Sequence, residues 1–150
     1  MKKIIKLLVI ALALVCAFSL VACDSLNDTE KAARTYMSEH AEDYSNFNTK
    51  SGLKYTSTVD KPSIGLISFD GSYTIIYDFK SKKGTCSATL ASDEYLFTFS
   101  GSYDYENSSL TFNVEKVTKS ANDNMLSTIE SIAKAEISVA YSTVQSAASK

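Results

Sequence analysis

The chain has 150 residues, of which 45% are hydrophobic and 21% are charged, with a formal net charge of −2. These values are typical of one globular domain and exclude a multi-domain enzyme and a polytopic membrane protein. A single His, three Cys and no Trp also exclude a zinc finger and a disulfide framework.

The N-terminus has the layout of an export signal. Lys2, Lys3 and Lys6 precede an apolar run over residues 7–22 in which Ser19 is the one clearly polar side chain. A permanent membrane span normally needs about 20 apolar residues, so this shorter run favours a removable signal peptide.

The residues that follow suggest a lipid anchor. Leu20-Val21-Ala22-Cys23 resembles the lipobox of bacterial lipoproteins. The resemblance implies a signal peptide over residues 1–22, a diacylglyceryl group on Cys23 and a location on the extracytoplasmic face of the cell membrane. An ordinary secretory cleavage site and an uncleaved anchor are the alternatives. Two acyl chains suffice for stable anchoring.

Removal of the signal changes the charge and the cysteine inventory. The remaining 128 residues carry 12 basic and 17 acidic side chains, a net charge of −5. We therefore expect neither a nucleic-acid nor an anionic-lipid partner, because both need clustered basic side chains. Lys80, Lys82 and Lys83 are interpreted as a polar turn. Cys86 alone remains unmodified, so no internal disulfide is expected.

A short tether over residues 23–27 leads into a single domain over residues 28–150. Asn27 and Glu30 have the spacing of a capping box, which predicts a helix through about Tyr44. Its apolar face would carry the residues with helical spacing, Ala33, Tyr36, Met37, His40 and Tyr44. Residues 46–52 are rich in turn formers and are predicted to be a loop.

Between Leu53 and Thr118 the hydrophobic period changes to two, which predicts about six strands. The segments are 53–59, the apolar run 64–69, 73–79, 86–90, 95–105 and 110–114. Short connections at 70–71, 81–84, 92–94 and 106–109 predict antiparallel hairpins in a meander. Gly101 within the longest segment predicts a bend or bulge that curls the sheet.

A long C-terminal helix should follow a cap at Asn122 or Asp123. Its predicted apolar stripe consists of Leu126, Ile129, Ala133, Ile137, Ala140 and Val144. Because many of its residues are poor helix formers, the helix needs a packing partner, and the apolar face of the sheet is the expected one. The predicted fold class is α+β, with a short N-terminal helix, a curled meander and this helix against it.

The segment from Tyr95 to Phe112, together with Phe69-Asp70-Gly71-Ser72-Tyr73, looks like the hairpin pattern of lipocalin-like domains in small bacterial envelope lipoproteins. The likeness covers about residues 64–118. It implies a curled sheet that holds an apolar ligand in some members. With about six strands here instead of eight, we expect a partial barrel.

No nucleotide-binding, hydrolase or metal motif is found in the sequence, so no cofactor, metal or enzymatic activity is expected. His40 is expected to be packed and hydrogen-bonded, and Cys86 to be a small core residue. Asp104 and Glu106 have a separation that a glycosidase could use, but solvated surface carboxylates are the favoured interpretation. The Asn122-Asp123-Asn124 segment lacks the Gly and closing Glu of an EF-hand loop.

The remaining candidate is an aromatic face of the sheet that could be core or could line a ligand pocket. Its members are Tyr73, Tyr77, Tyr95, Phe97, Phe99, Tyr103, Tyr105 and Phe112. The first hypothesis is a lipoprotein that acts as a non-catalytic binding module for a small apolar or envelope-derived ligand. The alternative is a structural or protein-interaction lipoprotein, in which the C-terminal helix fills the face and leaves no pocket.

Overall fold

A computed structural model describes residues 26–93, 96–106, 109–117 and 123–150. It has the predicted α+β architecture, with a helix at each end of the domain and antiparallel strands between them. The helices are α1 (Asp28–Glu39) and α2 (Asp123–Ala148). The strands are β1 (Phe47–Asn48), β2 (Lys54–Asp60), β3 (Ser63–Ile64), β4 (Ile67–Ser68), β5 (Asp70–Asp78), β6 (Lys83–Ala91), β7 (Leu96–Glu106) and β8 (Ser109–Val117).

Six of these strands form one sheet in the order β1-β2-β5-β6-β7-β8. Every neighbouring pair is antiparallel, which confirms the predicted meander. The sheet is curled but not closed, since β1 and β8 remain at its edges. The predicted irregularity at Gly101 is confirmed, because the β7–β8 register shifts between Ser100 and Gly101.

The six strands are not quite those predicted. The apolar run 64–69 was expected to be a strand of the sheet, but it forms a separate hairpin of β3 and β4 around Gly65, whose φ is +63°. Residues 46–52 were expected to be a loop, yet Phe47 pairs with Tyr55. The 70–71 connection was also wrong, because Gly71 lies inside β5 opposite Leu90.

Helix α1 begins as predicted but ends early. The Asn27 side chain accepts from the Glu30 backbone N–H at 2.8 Å, and Glu30 Oε2 accepts from the Asn27 N–H at 2.9 Å, so the capping box is confirmed. The helix ends at Glu39 and not near Tyr44. Its buried residues are Glu30, Ala33 and Met37.

Helix α2 buries the predicted stripe. Ile129, Ala133, Ile137, Ala140 and Val144 are at most 3% exposed, and the stripe extends to Ala147. The side chain of Leu126, the remaining predicted member, lies outside the described residues. Asn122, one of the two possible caps, also lies outside them. The Tyr141 ring lies against Tyr77, Phe79 and Tyr105 of the sheet at centroid distances of 5.6, 4.8 and 4.8 Å. The helix therefore packs on the apolar face of the sheet.

Candidate functional site

The aromatic face forms rows across the strands. Tyr55, Tyr77, Gly84 and Tyr103 are aligned by the register of β2, β5, β6 and β7. A Cβ at Gly84 would lie 2.8 Å from the Tyr77 ring, so the absence of a side chain makes room for that ring. The next row consists of smaller residues, Ser57, Ile75, Cys86 and Gly101.

The described members of the predicted face belong to the core. Tyr73, Tyr77, Phe99 and Tyr103 are 9% exposed or less, and Tyr105 is half-buried against the same core. Tyr95 and the side chains of Phe97 and Phe112 lie outside the described residues.

Polar contacts fix α2 over this face. The Tyr55 hydroxyl donates to Glu136 Oε2 at 2.5 Å. The hydroxyls of Tyr77 and Tyr141 share a hydrogen bond of 2.9 Å. Each contact joins a strand to the helix, so the tyrosine oxygens that could have lined the rim of a pocket are used to hold α2 in place.

Burial changes the acid–base properties of these tyrosines. Loss of solvent raises the pKa of Tyr77 to about 12. Burial, together with the hydrogen bond to Glu136, raises the pKa of Tyr55 to about 12. Burial also raises the pKa values of Tyr73, Tyr103 and Tyr141. All of these hydroxyls are therefore neutral at physiological pH.

Cys86 lies in the centre of the sheet. Its side chain is 1% exposed, which confirms the predicted core position. Burial raises the pKa of the thiol to about 11, partly offset by a hydrogen bond with Tyr103. Because the thiolate is the reactive form, this environment opposes nucleophilic chemistry at Cys86.

The other candidate residues have ordinary contacts. His40 was expected on the apolar face of α1, but it follows the end of the helix and is exposed. Its ring stacks on Tyr36, and its Nδ1 donates to the Tyr36 carbonyl oxygen at 2.9 Å. Asp104 lies 3.6 Å from Lys83, and the Glu106 side chain lies outside the described residues. Within the described ranges, no group of three or more His, Cys, Asp and Glu side chains could hold a metal ion.

One contact was missed at the sequence level. Glu30 is 3% exposed, and besides closing the capping box it forms an ion pair with Lys82. Lys82 has a left-handed backbone with φ of 58° and lies 6.0 Å from the centre of the Phe79 ring. The sequence separation of 52 residues leaves no local pattern that could have predicted the pair.

An open cleft of about 530 Å³ lies at the end of the sheet that carries the β3–β4 hairpin. Its lining combines apolar side chains with charged and polar ones: Lys61, Leu66, Ile67, Ser68, Phe69, Asp70, Ala91, Ser92 and Asp93. Leu66, beside the hairpin turn, has a fully exposed side chain. Contiguous exposed apolar surface marks contact sites, and Leu66 adjoins Ile67, Phe69 and Ala91 in the lining of this cleft.

No family model, curated protein or solved structure matches the chain. Within the described residues, neither helix has the length and apolar character that a membrane span requires. The lipobox residues, Leu20-Val21-Ala22-Cys23, and the whole of the signal segment 1–22 lie outside the described residues.

Proposed function

We propose that the chain is a lipoprotein, anchored through Cys23 on the extracytoplasmic face of the cell membrane, that acts as a non-catalytic protein-interaction module. The observation that carries the interaction role is the packing of α2 on the aromatic face. With Tyr141 against Tyr77, Phe79 and Tyr105, the apolar surface that would have received a ligand is used for folding.

The proposed contact region is the β3–β4 hairpin with its adjoining cleft. Leu66 projects from a two-residue connection between the short strands. A projecting apolar side chain suits insertion into a pocket on another protein, since a few well-buried residues contribute most of the binding free energy of an interface. The open cleft beside it can receive a side chain from that partner. The partner we propose is another envelope protein with a complementary apolar pocket.

A photo-crosslinking amino acid at position 66 tests this role in intact cells. The matched control carries the same group at Ile76, which is 41% exposed on β5. We expect an adduct of defined mass from position 66 and not from position 76. The absence of an adduct at position 66, or equal adducts at both positions, would contradict the proposal.

The same cleft also favours a second candidate function. Its volume of about 530 Å³ is within the range of small-molecule sites, and Lys61 could contact a polar group of an envelope-derived ligand. Native mass spectrometry of residues 24–150 from envelope extract should then show a bound small species that is lost in Lys61→Ala. A bare protein mass would count against this second candidate.

A further inference from the structure

The domain has two distinct ends along the direction of β5. Asp70 begins this strand next to the β3–β4 hairpin, and Asp78 ends it before the turn 79–82. A strand of nine residues is about 30 Å long. We name the two ends the hairpin end and the turn end. The β1–β2 connection joins the turn end, because the Phe79 N–H donates to the Leu53 carbonyl oxygen at 3.0 Å.

The chain enters the domain at the turn end. Leu26 is 2% exposed and belongs to the core. Asn27 and Glu30 are held together by the capping box, and Glu30 pairs with Lys82 of the turn 79–82. The first residues of the domain are therefore fixed to the turn end by packing, hydrogen bonds and a buried ion pair.

The distance from the anchor to this point is short. Cys23 and Leu26 are three residues apart, and three residues span at most about 11 Å when fully extended. If the acyl chains on Cys23 lie in the bilayer, Leu26 must lie within about that distance of the headgroups. The turn end, to which Leu26 and α1 are fixed, must then be close to the membrane.

Several lysines lie at the turn end, where their charge would attract anionic headgroups. They are Lys50, Lys54, Lys80, Lys82 and Lys83, at or beside its turns. The ammonium group of Lys54 lies 3.7 Å from the Asp78 carboxylate. Lys82 forms an ion pair with the buried Glu30 carboxylate. The Lys83 side chain is 71% exposed, and its ammonium group lies 3.6 Å from the partly exposed Asp104 carboxylate. Exposed pairs of this kind contribute little and can reorient.

The hairpin end has the opposite character. Three exposed acids, Asp60, Asp70 and Asp93, lie at this end with Lys61, and the Asp70 carboxylate lies 3.8 Å from the Lys61 ammonium group. Screening limits electrostatic attraction to about 10 Å at 0.1 M salt. The net charge of −5 that argued against an anionic-lipid partner is therefore a poor guide, because only the charges next to the membrane contribute.

We propose that the turn end rests on the membrane surface, with the Lys80 and Lys83 ammonium groups against anionic phosphate headgroups and the hairpin directed away from the bilayer. The proposal rests on the lipid anchor at Cys23. Because the tether from Cys23 is short, the bilayer is the surface that the turn end contacts.

Fluorescence quenching in vesicles tests this orientation. Acylated protein with Cys86→Ala receives a fluorophore at Ser81→Cys in the turn or at Leu66→Cys in the hairpin. Vesicles contain a headgroup-labelled nitroxide lipid in phosphatidylcholine, with or without phosphatidylglycerol. We expect the label at position 81 to be quenched several-fold more than the label at position 66. Phosphatidylglycerol should increase the difference, and 0.5 M salt should reduce it.

Two double variants test whether the lysines of the turn end cause the effect of phosphatidylglycerol. Lys80→Gln with Lys83→Gln should abolish the increase caused by phosphatidylglycerol. Lys61→Gln with Lys134→Gln removes the same charge away from the turn end and should leave the increase intact. An increase that survives the first pair would overturn the assignment of these lysines.

The mass of the protein separates the two proposals. A preparation without acyl groups on Cys23 contradicts the anchor. An acylated preparation in which both labels are quenched equally, or the label at position 66 is quenched more, overturns the orientation and leaves the anchor standing.

Discussion

At the scale of single residues, the core depends on tyrosines that must stay neutral. Tyr55 and Tyr77 are buried beneath α2, and burial raises the pKa of each to about 12. The ordinary value of about 10 applies in the unfolded chain. Their contribution to stability is therefore complete below pH 10 and is lost as the pH rises towards 12.

We predict that Tyr77→Phe changes the alkaline part of the stability profile. The free energy of unfolding of the natural protein should fall steeply between pH 10 and 12, since the unfolded chain loses tyrosine protons that the folded chain keeps. The variant has one such group fewer, so its profile should fall less steeply. Urea denaturation at intervals from pH 9 to 12 measures both slopes, and identical slopes would refute the linkage.

Glu30 links α1 to the turn between β5 and β6 through its ion pair with Lys82. Glu30→Gln keeps the shape of the side chain but removes the charge that pairs with Lys82. We expect a loss of about 2 kcal/mol, the usual cost of disrupting a buried hydrogen bond to a charged group. Asp28→Asn on the same helix turn is the matched control, because its side chain is fully exposed and loss of its charge at the helix N-terminus should cost only about 0.5 kcal/mol. Equal losses in the two variants would show that the Glu30–Lys82 pair does not matter.

At the scale of elements, α2 is stabilised mainly by the face that it buries. Ile137 is 2% exposed, whereas Val139 on the same helix is 60% exposed. Removal of a buried branched side chain leaves a cavity, and burial, not helix propensity, is what holds such a helix in place.

Ile137→Ala should therefore cost about 2–5 kcal/mol of unfolding free energy. Val139→Ala is the control, and it should leave stability nearly unchanged because the side chain already contacts solvent. Chemical denaturation monitored by circular dichroism compares the two. A loss below about 1 kcal/mol at position 137 would contradict the packing of α2 on the sheet.

Gly71 determines how β5 meets β6. Its φ is +105°, and a Cβ there would lie 2.0 Å from the Thr89 carbonyl oxygen. Gly71→Ala should lose about 3 kcal/mol through backbone strain and forced separation of the strands. Gly65→Ala is the matched control, since its φ is +63° but a Cβ there would meet no atom within 4 Å apart from its chain neighbours. It should lose about 1 kcal/mol, and equal losses would refute the steric argument.

Alternation and helical spacing were sufficient to predict most elements. Tyr73, Ile75 and Tyr77 alternate with exposed or half-buried residues, so a period of two reports burial on one face. The continuous apolar run 64–69 has no such period, and it forms a hairpin whose turn contains Gly65. Position 40 follows the helical spacing of Ala33 and Met37, but spacing alone did not reveal that α1 ends at Glu39.

The candidate site was less predictable because it depends on contacts between distant residues. The sequence could place Tyr77 on an apolar face, but the occupation of that face by Tyr141 depends on how α2 crosses the sheet. The Glu30–Lys82 pair and the cleft between the hairpin and Ala91 likewise arise only when separate elements come together. Spacing along the chain contains no signal for such pairs.

At the scale of the whole molecule, we propose a different role for each end. The turn end carries the entry of the chain and a group of lysines, and the hairpin end carries Leu66 and the open cleft. Between them, α2 occupies the aromatic face. If the proposed anchor holds the turn end at the membrane, the proposed contact surface lies about 30 Å from the bilayer, where a partner in the envelope can reach it.

Intact mass analysis of the protein from native membranes tests the central proposal most directly. We expect the mature chain to begin at Cys23 and to carry a diacylglyceryl group there, and we expect Cys23→Ser to abolish both the processing and the added mass. A mature chain that begins elsewhere, or that begins at Cys23 without lipid, would contradict the account.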